Sequence, residues 1–199
     1  MISRPRLIST GLILCALAIP ARSNKDALEA FHAKYRSLSS IKMNFTSSDG
    51  LKGTITARRG GRYRIVVGDR TIVCNGSTVW NADAITHSVV INQYKPLSTD
   101  VSLERVFFEI MTVYRSQVVQ STATSTILRL EAPAPNAVIA NVSSVDVTLD
   151  ASMNVTKVSI TSGPSRISYT ITKFRSNASS SASLFQFSIP KGWEVIDLR

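Results

Sequence analysis

The sequence predicts a mainly-β fold: a long antiparallel sheet that curls on itself, with two helices across its concave face. Three observations predict it. About ten short segments carry alternating or continuous apolar residues, turn residues separate them, and only two stretches show helical spacing. Two helices are too few to cover both faces of a parallel sheet, and a flat sheet of that many strands would leave long exposed edges.

The chain of 199 residues opens with a segment of different character. Arg4 and Arg6 precede an apolar run from Leu7 to Ile19, and small residues Ala21 and Ser23 follow, which is the layout of a secretory signal. A run of 13 residues is short for a membrane span, which needs about 20. Cleavage near residues 21–23 is expected, leaving a soluble exported protein with one domain over residues 24–199. Lipid attachment at Cys15 is disfavoured because Leu14 stands where that processing needs a small residue. Removal of the segment leaves Cys74 as the only thiol, so an intramolecular disulfide is excluded and a cysteine-based metal site is not expected.

Loss of Arg4, Arg6 and Arg22 leaves 20 basic against 13 acidic side chains, a net charge of +7. The basic residues are scattered at strand spacing, as at Arg58, Arg59, Arg62 and Arg64, and are not interleaved with stacking aromatics on a helix. A solvated basic strand face is the first reading, attraction to acidic lipid headgroups or an acidic partner is the second, and nucleic acid is not an expected partner.

Leu28, Phe31, Tyr35 and Leu38 fall on one face of a helix over about residues 25–38, with Asn24 as its N-cap. From Ile41 the period changes to two. Ile41, Met43 and Phe45 share a face, Asp49-Gly50 turns the chain, and Leu51, Gly53, Ile55 and Ala57 return. Tyr63, Ile65 and Val67 follow the Gly60-Gly61 break, and Asn75-Gly76 joins Thr71–Cys74 to 77–81 as a type I′ hairpin. Leu103, Val106, Phe107, Ile110, Met111 and Tyr114 predict a second helix over 100–115 behind Asp100. Strands resume at 126–131, 142–150, 155–162, 166–174 and 184–189, and the serine-rich stretch 176–183 reads as a surface loop.

Catalytic chemistry has little support. His32 and His87 are the only histidines, neither stands beside a nucleophile motif, and both read as surface residues. No Gly-x-Ser-x-Gly, His-Glu-x-x-His, phosphate loop or Cys-x-x-Cys occurs. No enzyme, cofactor or metal is expected.

A string of features in fixed order carries a family resemblance. A helix with Leu28, Phe31 and Leu38 leads to Ile41-Lys-Met-Asn-Phe45, then to Gly53-Thr-Ile-Thr-Ala-Arg-Arg-Gly-Gly-Arg-Tyr-Arg64, then to Asn75-Gly-Ser-Thr-Val-Trp80, and ends in Phe185-Gln-Phe-Ser-Ile-Pro-Lys-Gly-Trp-Glu-Val195. This order resembles the LolA-type outer-membrane lipoprotein carriers over nearly the whole mature chain. The resemblance implies an incomplete, half-open antiparallel β-barrel of about ten or eleven strands closed by helices. It implies a periplasmic carrier that holds lipoprotein acyl chains between sheet and helices. An inner-membrane lipoprotein-releasing transporter and an outer-membrane acceptor would be its partners, and it would act as a monomer. A lipid or lipoprotein sensor on the same half-barrel is the alternative.

Phe45, Ile55, Tyr63, Ile65, Trp80, Phe107, Ile110 and Met111 are the apolar candidates to line such a cavity, with ordinary core as the alternative for each. By position Arg59 matches the family arginine that ties the sheet to the lid helix, with an exposed strand arginine as the alternative. The chain departs from the family pattern at Gly60, where the family has proline, at Asn75 in place of aspartate, and at Ile65, where an aromatic is common. Glycine in place of proline is expected to loosen the turn after Arg59.

Overall fold

The computed structural model describes residues 23–95 and 103–199. The expected export segment, apart from Ser23, and residues 100–102 of the expected second helix lie outside that range. Helix α1 (Asn24–Arg36) is capped by Ser23, whose hydroxyl accepts from the Asp26 amide at 3.2 Å, so the cap falls one residue before Asn24. Its buried face is Ala27, Phe31 and Tyr35, continued by Leu38.

The strands are β1 (Ser40–Ser47), β2 (Lys52–Arg58), β3 (Arg62–Val67), β4 (Arg70–Asn75), β5 (Thr78–Asp83), β6 (Ser88–Gln93), β7 (Arg115–Ser121), β8 (Ser125–Glu131), β9 (Ser144–Asp150), β10 (Val155–Ser162), β11 (Ser165–Ser176) and β12 (Glu194–Asp197). They form one twelve-stranded sheet in the order β12-β6-β5-β4-β3-β2-β1-β11-β10-β9-β8-β7. Pairing is antiparallel except where β12 joins β6 in parallel. The two ends of this order do not meet, so the sheet is an open half-barrel with β7 and β12 as its edges.

Three strands exceed the expected set. β6 is the β-branched run Val89-Val90-Ile91, β7 is a polar edge strand, and β12 adds beside β6. The segment 184–189, expected as a strand, instead begins in a short 3-10 turn (Ala182–Phe185) that buries Phe185 against the outer side of β3 and β4. The edge at β6 is already taken by β12, so this segment docks by side chains rather than by a backbone ladder.

The second helix is composite. One α turn (Leu103–Arg105) runs into π-helical Val106–Ile110 and closes on Met111–Val113. Its buried face and that of α1 share a core with Leu128, Leu130, Val145, Val147, Val158 and Ile171. Phe107 stacks on Phe174 at 5.5 Å between centroids and lies 6.4 Å from Tyr35. Buried hydroxyls fix the same half: Tyr35 donates to the Met153 carbonyl at 2.9 Å and Tyr114 to the Val142 carbonyl at 2.6 Å. The helices therefore fill the concavity over β8–β10 and over the adjoining parts of β1 and β11, at Ile41, Met43, Ile171 and Phe174. Over β2–β6 they leave space.

Two turns differ from expectation. Of Asn75 and Gly76 only Gly76 has positive φ, at +97°, which fits the type II′ pattern with glycine first in the Gly76-Ser77 loop rather than type I′. The Asn75 side-chain oxygen accepts from the amides of Ser77 and Thr78, both at 2.9 Å, and takes over the closing of the turn. Gly60 sits at φ +92°, which a proline ring locked near −65° cannot reach, so glycine here permits a different turn instead of loosening the same one.

Candidate functional site: a cavity between sheet and helix

The space over β2–β6 is a cavity of about 660 Å³, within the range of about 300–1,000 Å³ usual for ligand sites. Strand alternation builds its floor. Phe45 (β1), Ile55 (β2) and Tyr63, Ile65 and Val67 (β3) point inward, and Ile72 (β4) and Val79 (β5) extend the apolar surface. Ile167 and Tyr169 of β11 close the far side, and Leu103, Glu104 and Arg105 of the composite helix form the remaining wall. Asn81, Asn92, Tyr94, Lys95 and Asp49 add polar groups.

Four of the sequence candidates, Phe45, Ile55, Tyr63 and Ile65, line this cavity. The other four stand elsewhere. Phe107, Ile110 and Met111 are fully buried core, because the helical stripe faces β8–β11 rather than the space over β2–β6. Trp80 lies on the opposite face of the sheet with Ala82, Val89, Ile91, Phe187 and Trp193, since its neighbours Val79 and Asn81 take the inward positions. Missed by the sequence reading were Val67 and Tyr169, each visible in strand alternation, Ile72 and Val79, whose apolar neighbours Val73 and Trp80 leave the inward face undecided by alternation, and Glu104. Glu104 stands three, four and seven residues before Phe107, Phe108 and Met111, in phase with a buried helical stripe, and that spacing was the available signal.

Glu104 is 3% exposed, and one carboxylate oxygen, Oε2, is buried without a hydrogen-bond partner. Burial raises its pKa to about 7, the Glu109 carboxylate adds to the rise, and Arg105 opposes it. Arg105 is itself engaged by Glu109 at 3.0 Å. Tyr63, Cys74 and Tyr94 feel the Glu104 charge, and burial raises all three, Tyr94 to about 12.

Arg59, in the turn after β2, bridges three elements. Its Nε and Nη2 donate to the Leu38 carbonyl beyond α1 at 3.2 and 3.1 Å, and its Nη1 donates to the Phe108 carbonyl in the π-helical turn at 3.3 Å. The guanidinium also lies 5.5 Å from the Phe108 ring centroid.

The histidines do not form a reactive centre. His32 is half-buried rather than a free surface residue: its Nε2 meets the Ser116 hydroxyl at 2.9 Å, and burial followed by the Arg36 charge lowers its pKa. His87 is exposed in a turn, 5.9 Å from the Trp193 ring. Among the described residues no three His, Cys, Asp or Glu side chains are grouped to hold a metal ion, and no helix is long and apolar enough to cross a membrane.

An open β half-barrel with a helix-walled apolar cavity defines a binding scaffold. The chain belongs to the family described as outer membrane lipoprotein carrier protein LolA, whose model matches residues 24–188. No curated protein matches the chain. Among solved structures it is similar to an uncharacterized conserved protein from Thermus thermophilus, at 12% identity and TM-score 0.54, over 88% of this chain and 99% of that one. It is also similar to LprF from Mycobacterium bovis, at 9% identity and TM-score 0.46, over 87% of this chain and 99% of that one. A LolA superfamily protein from Nitrosomonas europaea aligns at 9% identity and TM-score 0.40, over 84% and 99% of the two chains.

Proposed function

We propose that this chain is a periplasmic carrier that takes the acyl chains of lipoproteins into the cavity and shuttles them from the inner to the outer membrane. The observation that carries the reading is the cavity itself: about 660 Å³ with an apolar floor, bounded by a helix that Arg59 ties to the sheet. An acyl chain costs about 0.8 kcal/mol per exposed CH₂ in water, so a carrier must offer dry apolar surface and needs no catalytic group. Membership of a lipoprotein-carrier family supports the cargo class. The export signal read in residues 1–23 supports the compartment. An inner-membrane transporter that releases lipoproteins and an outer-membrane acceptor are the partners this role requires.

The test is mass spectrometry of protein purified without detergent from its exporting cell, paired with transfer of a fluorescently acylated lipoprotein to acceptor vesicles. Co-purified acyl chains and transfer that depends on the protein are expected. Lipid-free protein that neither binds nor transfers the acylated client would overturn the proposal.

A further inference from the structure

A carboxylate is out of place in a cavity meant for hydrocarbon. An ionised carboxylate only accepts hydrogen bonds, and Glu104 presents Oε2 buried and unpartnered in the wall, beside Leu103 and across from a floor of Phe45, Ile55 and Ile65. The neighbouring cation Arg105 is held by Glu109 at 3.0 Å, and Oε2 of Glu104, a residue of the cavity wall, has no donor.

Resting on the carrier reading, we propose that the cavity takes an amphiphile with an ammonium head group, which donates to Glu104 while its chain lies on the apolar floor. A charge-assisted N–H bond in a dry site is stronger than a neutral one, and it relieves a carboxylate that burial otherwise penalises. The same carboxylate repels anionic heads. The remaining polar groups around it, Tyr63 on β3, Cys74 on β4 and Tyr94 after β6, have pKa values raised by burial and stay neutral near pH 7. Lys95 and Asp49 also border the cavity; Lys95 favours anions and works against the preference, whereas Asp49 favours cations, so the Glu104→Gln comparison assigns the preference to Glu104.

Dodecylamine, dodecanol and dodecanoate, competed against a fluorescent acyl probe at about pH 8, where the amine is charged and Glu104 ionised, separate head from chain. The expected order is amine tightest by about tenfold over the alcohol, with dodecanoate weakest. Glu104→Gln should erase the preference for the amine while retaining dodecanol, with circular dichroism reporting its fold. Should that variant not fold, the wild-type profile decides: the advantage of the amine must fade as pH falls below about 7 and Glu104 takes up a proton. Equal binding of amine and alcohol, or an unchanged preference in folded Glu104→Gln, overturns the head-group assignment and leaves the carrier reading standing. Failure of dodecanol and the probe to bind at all defeats the carrier reading and this inference with it.

Discussion

Arg59 and Phe108 meet twice: the guanidinium donates to the Phe108 carbonyl at 3.3 Å and its carbon stands 5.5 Å from the Phe108 ring centroid. That carbonyl also accepts from the Thr112 hydroxyl at 3.3 Å, so a π-helical turn with irregular backbone bonding is held by side chains from two sides. The Leu38 carbonyl takes two more bonds from the same guanidinium. One exposed arginine thus joins the end of α1, the β2–β3 turn and the composite helix, all at the border of the cavity's helical wall.

Arg59→Leu should leave the fold intact, because the side chain is not core, and should slow cargo release. The three bonds stabilise the arrangement in which helix and sheet are drawn together. A loaded state that displaces the helix forgoes them, so their loss favours loading. At about 0.5–1.5 kcal/mol per bond, retention of an acyl probe should lengthen roughly tenfold or more. Release kinetics equal to wild type would show that the latch does not gate the cavity.

Core and cavity should separate on paired measurements. Ile110 is fully buried against both helices and sheet, so Ile110→Ala should cost about 2–5 kcal/mol through lost burial and a void while the folded protein still binds probe. Ile65 lines the cavity and is only half-buried. Ile65→Gln should change the melting temperature little and weaken probe binding, since it offers acyl chains a polar group they cannot satisfy. The reverse pattern would place the ligand elsewhere.

Gly53 makes room for Phe45, its partner across β1 and β2. A Cβ at Gly53 would stand 2.5 Å from the Phe45 ring and 2.6 Å from the Val66 carbonyl oxygen. Gly53→Ala should therefore push the ring into the cavity, costing about 1–3 kcal/mol and lowering probe affinity. Calorimetry and probe titration of the variant check both halves, and unchanged affinity would mean that Phe45 yields in some other direction.

The half-barrel was legible because its strands alternate cleanly: Ile41, Met43 and Phe45, or Tyr63, Ile65 and Val67, announce both strand and inward face. Trp80 was misplaced because Val79 beside it is equally apolar, and alternation cannot choose a face when both neighbours suit it. The outer face there is itself apolar, covered by Phe187 and Trp193 from the terminal segment, a contact that spans the chain and leaves no local trace. The helical stripe of Phe107, Ile110 and Met111 was correctly seen as apolar, but the half of the sheet it covers follows from strand order, with β11 inserted beside β1. Glu104 is in phase with the buried stripe of Phe107, Phe108 and Met111, but a glutamate near a helix start also suits the first-turn dipole, and the spacing alone does not choose between the two.

Glu104 gives the last prediction, one that concerns stability and needs no ligand. Its ordinary value of 4.5 rises to about 7 in the folded state, chiefly by burial. The folded protein therefore holds its proton over a range in which the unfolded chain has released it. Where the unfolded state binds fewer protons, stability falls as pH rises. The loss begins near 4.5, grows to about pH 7, and is then constant, since above that both states are ionised. At about 1.4 kcal/mol per pKa unit the full effect is on the order of 3 kcal/mol. Glu104→Gln keeps the shape of the side chain and cannot ionise. Its melting temperature should match wild type near pH 4.5 and exceed it increasingly up to about pH 7, with a plateau above. Glu109→Gln should reduce the effect without abolishing it, since burial is the larger cause and the like charge of Glu109 only adds to the rise. Parallel pH dependence of melting in wild type and Glu104→Gln would mean that water or a cation reaches the carboxylate, and that the wall of the cavity is wet at this point.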